Sequence, residues 1–516
     1  ILLCLMLASW RVSKFTFKGG LVLENPFPAK EIDLIRIPLP DKVVLPMQQR
    51  IGEQAKPCVS VGEHVLTGQV IATIDDDRCA PVHASISGTV VAIDNQVMAH
   101  QSGLKALCVT IESDGEDEWI DNSVACTENY DFCTPDTIYN KIRLSGIVGM
   151  GGAGFPTHTK VQFAEGCHTL IVNATECEPG IMCDDALMQA YPTKVIRGVE
   201  VLLHICGAEK AIIAIEDDKK ESIKLLKKFC KNERITIEAI PTKYTSGAEK
   251  ILVKSLLGIE IPSGGYASDV GVLCQNVGTL VAIFDAVVEN RPLISRVVTV
   301  TGSAIKEPKN LQVRLGASYD YVLGFADIDP GENDIRMAGM MMGVDLKGTD
   351  YSISKNTNCI FVNKPIEKAA AQECIRCGMC NTVCPMELLP QQLYWYSKSS
   401  NIEKALDYNL LDCIECGCCS HVCPSNIPLV DYYQFAKALN RQQTKEKVQT
   451  DNARERFEFR EFRLERNKQE RAEMMEAKKK ALKEKMAKDK VQKEAIAAAQ
   501  ERVNAAKTAK ELEDAR

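Results

Sequence analysis

A chain of 516 residues is too long for one hydrophobic core, and 45% apolar composition gives several domains enough material to bury. Its net charge of -7 excludes a dominant nucleic-acid surface, which needs a concentrated excess of Lys and Arg. Its 22 cysteines exclude a disulfide scaffold: nine crowd between Cys374 and Cys423, and the rest have no paired spacing, as for thiols kept free in a reducing compartment.

Residues 1–30 form an N-terminal segment. Its apolar start, Ile1 to Ala8, falls far short of the roughly 20 residues of a membrane span. It lacks the basic start and small-residue cleavage pattern of a signal peptide, so it reads as a fragment or a mis-assigned start. No other stretch has spanning length, and any membrane contact is expected to be peripheral. Residues 31–118 hold short β-branched runs between Gly, Pro and Asp, such as Val61-Gly62-Glu63-His64-Val65 and Ser87-Gly88-Thr89-Val90-Val91. This is similar to the barrel-sandwich module of biotinyl and lipoyl carriers. Those carry an acylated Lys at a hairpin tip, whereas Asp75-Asp76-Asp77-Arg78 offers an Arg, so a scaffold is expected and not a swinging arm.

Residues 130–292 alternate buried strands with helical stretches: Thr169 to Asn173, Lys194 to His204, Lys210 to Ile215. That alternation predicts an α/β domain with a mainly parallel sheet, whose cofactors sit beyond the carboxyl ends of the strands. Residues 293–345, opening with Val297-Val298-Thr299-Val300-Thr301-Gly302, return to short strands and read as a small β-grasp-like (SLBB-type) insert. A cysteine-rich, ferredoxin-type α domain is expected over 360–440. Residues 441–516 carry a net charge of +6 with no Gly or Pro, so a long solvated helix or partly disordered tail is expected there.

Cys374-x2-Cys377-x2-Cys380-x3-Cys384-Pro385 is repeated as Cys413-x2-Cys416-x2-Cys419-x3-Cys423-Pro424. An iron–sulfur cubane needs four thiolates converging from different directions, which three cysteines on a tight loop and one distant cysteine supply. In two-cluster ferredoxins the fourth Cys of each run serves the other cluster. This assigns Cys374, Cys377, Cys380 and Cys423 to one [4Fe-4S] cluster, and Cys413, Cys416, Cys419 and Cys384 to the second. Cys418 breaks the repeat and reads as a bystander. Zinc sites usually show two CxxC pairs each, which disfavours zinc. Ile375, Met379, Ile414 and Val422 are expected to shield the clusters from water.

Gly149-Met150-Gly151-Gly152-Ala153-Gly154 satisfies G-x-G-x-x-G, with Glu176 and Glu178 further on, so a dinucleotide fingerprint is the first reading and a tight structural turn the alternative. Glycines would let backbone N–H groups approach a phosphate, and a helix starting after Pro156 would point its positive end there.

Gly151-Gly152-Ala153-Gly154-Phe155-Pro156-Thr157-x2-Lys160 and Asn173-Ala174-Thr175-Glu176-Cys177-Glu178-Pro179-Gly180 resemble the FMN-binding subunit of respiratory complex I. Tyr244 to Glu249 and Asn276 to Thr279 resemble that family's later FMN motifs. The resemblance implies that Gly149, Gly151, Gly152, Ala153, Gly154, Lys160, Asn173, Glu176, Glu178, Tyr244, Glu249, Asn276 and Thr279 surround FMN. It also implies that Phe155 and Phe163 flank the adenine of NADH. Met150, Thr175 and Gly278 stand where that family has Arg, Asp and Glu. Across nearly its whole length the order of modules resembles the RnfC (RsxC) family of Rnf electron-transport complexes.

That likeness implies a peripheral subunit on the cytoplasmic face of a bacterial inner membrane, working with a ferredoxin-like partner. The family couples electron flow between NADH and ferredoxin to ion translocation. FMN converts two-electron hydride chemistry to single electrons, so no side chain need act as acid or base. The alternatives are a cobalamin reductase-like flavin/iron–sulfur protein and a non-catalytic electron-wiring scaffold.

Overall fold

The computed structural model describes residues 15–29, 32–49, 54–74, 79–100, 103–121, 130, 133–152, 154–367 and 369–513, with side chains to 510. Ala153 and the Asp75–Arg78 turn lie outside the described residues. The chain forms two compact units, Ile1–Lys437 and Ala438–Arg516.

In the first unit, alternating apolar residues build two small antiparallel sheets near the N-terminus. One runs in the order Lys42–Pro46, Lys105–Ser113, Gly88–Val97, His64–Val65, and the other in the order Lys56–Pro57, Val70–Thr73, Val82–His83. Val43, Leu45, Val65, Ile71, Val109 and Ile111 point inward with no exposed surface. Gly88 is required by close approach: at φ 151°, a Cβ there would stand 1.9 Å from the Glu112 carbonyl oxygen.

The α/β alternation expected downstream is realised as a four-stranded parallel sheet in the order Ile235–Ile240, Lys210–Glu216, Thr169–Ala174, Val272–Asn276. Its strands are near-continuous apolar runs because helices cover both faces. Helices Pro192–Cys206 and Val277–Val287 pack so closely that a Cβ on Gly198 would meet the Leu280 carbonyl oxygen at 2.3 Å. The Thr169–Ala174 strand comes first in sequence. The next two strands add on one side of it and Val272–Asn276 on the other. Strand order therefore reverses beside Thr169–Ala174, the place where a parallel sheet opens a crevice at its carboxyl edge.

A six-stranded mixed sheet follows, in the order Leu34–Arg36, Lys309–Arg314, Ser295–Thr301, Cys359–Asn363, Asp334–Met337, Val344–Leu346. It thus draws one strand from before the barrel and one from just before the cysteine runs. The cysteine region is built from short helices, including Met379–Thr382, Pro390–Lys398 and Cys418–His421. The final helix spans Leu429–Glu513; from residue 441 its described side chains are exposed except for a half-buried Asp451. Among the described residues no helix is long and apolar enough to cross a membrane.

Candidate functional site

The glycine loop is a tight excursion closed at its base. Val148 bridges Pro156, Gly149 N donates to Phe155 O at 2.8 Å, and Thr157 N donates to Ile147 O at 3.1 Å. Helix Pro135–Leu144 precedes it, so the loop is not the strand-to-helix turn of a dinucleotide fold and the first reading of its glycines is corrected. A six-residue helix, Thr157–Gln162, follows Pro156.

The loop lies against the carboxyl edge of the parallel sheet. Asn173 and Asn276 end adjacent strands and are register partners. Asn276 caps helix Val277–Val287, accepting from Gly278 N at 2.8 Å, and its amide donates to Asp184 at 2.7 Å. A Cβ on Gly151 would stand 3.3 Å from Asn276 Cβ, and Thr279 Oγ1 accepts from Met150 N at 3.0 Å. Asn173 Nδ2 donates to Gly247 O at 2.8 Å. Lys160 and Glu249 pair at 2.6 Å, both partly accessible. Burial acts to lower the Lys160 pKa, but the Glu249 carboxylate outweighs it and the ammonium titrates above its ordinary value.

Three other positions engage protein partners. Glu176 accepts from Asp184 N and Asp185 N at the start of helix Cys183–Ala190, at 2.9 and 3.2 Å. Burial, then the nearby Asp184 charge, raises its pKa. Glu178 accepts from Met341 N and Met342 N at 2.6 and 2.9 Å. Tyr244 is buried and donates to the Cys416 carbonyl at 2.6 Å. Phe155 and Phe163 stand on either side of the short helix, 38% and 64% exposed.

These residues fit a phosphorylated planar cofactor. Gly152 has φ 114° and nothing within 4 Å of where a Cβ would stand, so backbone there is open to close approach. A Lys and two Asn side chains converge on the same crevice.

The cysteine runs are duplicated in backbone as well as in sequence. Arg376 and Glu415, Gly378 and Gly417, and Glu387 and Asn426 occupy matching left-handed positions in the two copies. These turns bend each loop around a centre. Cys374, Cys377, Cys380 and Cys423 line one cavity; Cys384, Cys413, Cys416 and Cys419 line another, together with Cys418. All nine are free thiols. Backbone N–H groups of Leu388 and Glu415 reach the sulfurs of Cys384 and Cys413 at 3.4 Å each, supplying hydrogen bonds that stabilise thiolate ligands. The Cys413 thiol is pushed up to about 11, chiefly by burial, so deprotonation there calls for a bound cation. Four convergent sulfurs in each apolar cavity fit a cubane cluster.

The two cavities differ in exposure. Cys416, Cys418 and Cys419 are buried, and Cys416 and Cys418 pack with Tyr244, Leu21, Cys177 and Met341. Around the other cavity Cys377 is exposed, and Ile375 and Met379 are 68% and 47% exposed. The expected shielding by those two residues is therefore corrected: the first run faces solvent because no segment of the flavin domain is packed on it as Tyr244 is on the second. Ile414 and Val422 are half-buried.

Three family comparisons fit this layout. Residues 15–116 match the RnfC barrel sandwich hybrid domain, residues 142–285 the Nuo51 FMN-binding domain, and residues 373–427 the 4Fe-4S dicluster domain. FMN and [4Fe-4S] clusters are the cofactors of these domains. Among curated proteins, the RnfC component of an ion-translocating oxidoreductase complex from Serratia proteamaculans is 44% identical over 403 residues, 77% of this chain and 57% of the relative. Its counterpart from Pseudomonas aeruginosa is 41% identical over 463 residues, 88% of this chain and 60% of the relative. The chain therefore spans less than two thirds of the length of these relatives. A solved chain of an NAD+-reducing [NiFe]-hydrogenase is 21% identical with a TM-score of 0.39, covering 54% of each chain, a likeness too slight to carry an argument. The chain belongs to the RnfC family, components of ion-translocating oxidoreductase complexes.

Proposed function

We propose that this chain is the part of a membrane-bound, ion-translocating complex that links NADH to a ferredoxin-type partner through FMN and two [4Fe-4S] clusters. It is a peripheral subunit on the cytoplasmic face, contributes oxidoreductase activity to a translocase, and has other subunits as its partners. The insert is read as β-grasp-like. The relatives' shared name disfavours a cobalamin reductase, and the intact crevice disfavours a scaffold with a degenerate flavin site.

One observation carries the reading: the buried Tyr244–Cys416 hydrogen bond joins the crevice edge of the flavin domain to the inner thiol cavity within one compact unit. When bound, flavin exchanges hydride with a nicotinamide and single electrons with iron–sulfur centres. Lys160, Asn173, Glu249, Asn276, Thr279 and the glycine loop would hold it. Phe155 and Phe163 would flank the adenine of NADH. Glu176, Glu178 and Tyr244 would act from behind, fixing the helix start, the Met341 turn and the cluster loop. Cys384, Cys413, Cys416 and Cys419 would hold the cluster nearer the flavin, and Cys374, Cys377, Cys380 and Cys423 the one facing a partner.

Anaerobic purification tests this. About eight iron, about eight sulfide and about one flavin per chain are expected, with visible bleaching on NADH addition. Colourless material, or bound zinc, would sink the proposal.

A further inference from the structure

The glycine loop is gripped from outside its own domain. Arg296, on strand Ser295–Thr301, is 4% exposed. Its Nη2 donates to the Met150 carbonyl at 3.0 Å and its Nη1 to the Lys355 carbonyl. Among the described residues no carboxylate lies within ion-pairing distance of it, and its Nε has no hydrogen-bond partner. A buried guanidinium without a counter-ion is costly, so its two carbonyl bonds must matter to the arrangement they hold.

Lys355 is also buried, and its Nζ donates to Pro81 O at 3.0 Å and Gly146 O at 2.7 Å, tying the barrel to the chain just before the loop. The next residue, Asn356, backs the loop's far end: a Cβ on Gly154 would stand 2.5 Å from Asn356 Oδ1. With Thr279 holding Met150 N, the loop is fixed at Met150 from two sides and backed at Gly154. Its Gly152 face is left open.

We infer that Arg296 and the Lys355–Asn356 turn are positioning residues for the glycine loop, and that they set it in the shape that receives the flavin phosphate. This makes the insert a working part of the flavin site, and it rests on the reading of that loop as flavin-binding. None of these residues touches the open face, so their effect passes through the Met150 carbonyl and the Gly154 backbone.

The test uses the full chain with its clusters, comparing wild type, Arg296→Gln, Arg296→Lys, Asn356→Ala and, as a control on the same sheet, Lys306→Ala. Two measurements are made: amide hydrogen exchange of residues 149–154 without flavin, and FMN affinity by fluorescence quenching. Exchange in the loop of Arg296→Gln should rise about tenfold and FMN affinity fall about tenfold, as for loss of a charge-assisted hydrogen bond. Arg296→Lys should recover part of both, Asn356→Ala should raise exchange near Gly154, and the control and the cluster EPR signals should not change. Wild-type exchange and affinity in a folded Arg296→Gln protein overturn the inference. If Arg296→Gln fails to fold, wild-type values in Asn356→Ala overturn it. If the wild-type chain binds no FMN, the flavin reading fails, while exchange still decides whether the turn holds the loop.

Discussion

At the scale of single residues, burial decides what each titratable group can do. Glu216 is fully buried, accepting from Glu176 N at 3.2 Å and Ser246 Oγ at 3.3 Å, and burial raises its pKa from 4.5 to about 7. Folded protein therefore binds the extra proton between those values. Its contribution to stability is complete below pH 4.5, declines as pH rises to about 7, and is level above. Glu216→Gln should remove that decline and be the more stable form at pH 8 by up to about 3 kcal/mol, read from melting temperatures between about pH 5 and 8. Tyr244→Phe leaves the buried Cys416 carbonyl without its donor, at a cost of about 1–3 kcal/mol. Iron content should hold while electron transfer from NADH to the clusters slows in stopped-flow absorbance. Cys418→Ala should keep about eight iron, whereas Cys384→Ala should lose the inner cluster and its EPR signal alone. The cysteine spacing singled out eight of the nine thiols. It did not reveal that Cys418 shares the inner cavity, because burial depends on Tyr244 and Leu21, distant in sequence.

At the scale of elements, the crevice comes from strand order. Asn173 and Asn276 are separated by two strands and several helices, yet they meet as register partners because the Val272–Asn276 strand inserts beside Thr169–Ala174. Alternating apolar runs made the α/β class legible, since a parallel sheet covered on both faces needs such runs. They did not reveal which strands are neighbours. The glycine run satisfied a dinucleotide pattern, but its supporting element is a helix, so the pattern alone misidentifies the turn. Lys160→Met should break the only ion pair at the crevice among the described residues assigned to flavin. FMN affinity is expected to fall about tenfold or more with cluster content unchanged, as measured by flavin titration and iron analysis.

At the scale of the whole molecule, the two cavities are chemically equal and positionally unequal. Exposed Cys377, Ile375 and Met379 leave the first thiol set open, while the flavin domain covers the second. Ferricyanide should bleach the iron–sulfur absorbance in two phases, the faster accounting for about half, and Cys374→Ala should remove the fast phase. Truncation after Asn440 should reduce helical circular dichroism but leave iron, flavin and the melting temperature of the remainder unchanged, because the removed side chains are almost wholly exposed. By itself the sequence determined the module order, the cysteine repeat and the presence of a glycine loop, because spacing, periodicity and residue chemistry are local properties of the chain. Only the tertiary structure decided which asparagines share a crevice, which thiol cavity is buried, and that Arg296 and Lys355 grip the loop, because those contacts join segments far apart in the chain and leave no periodic trace in it.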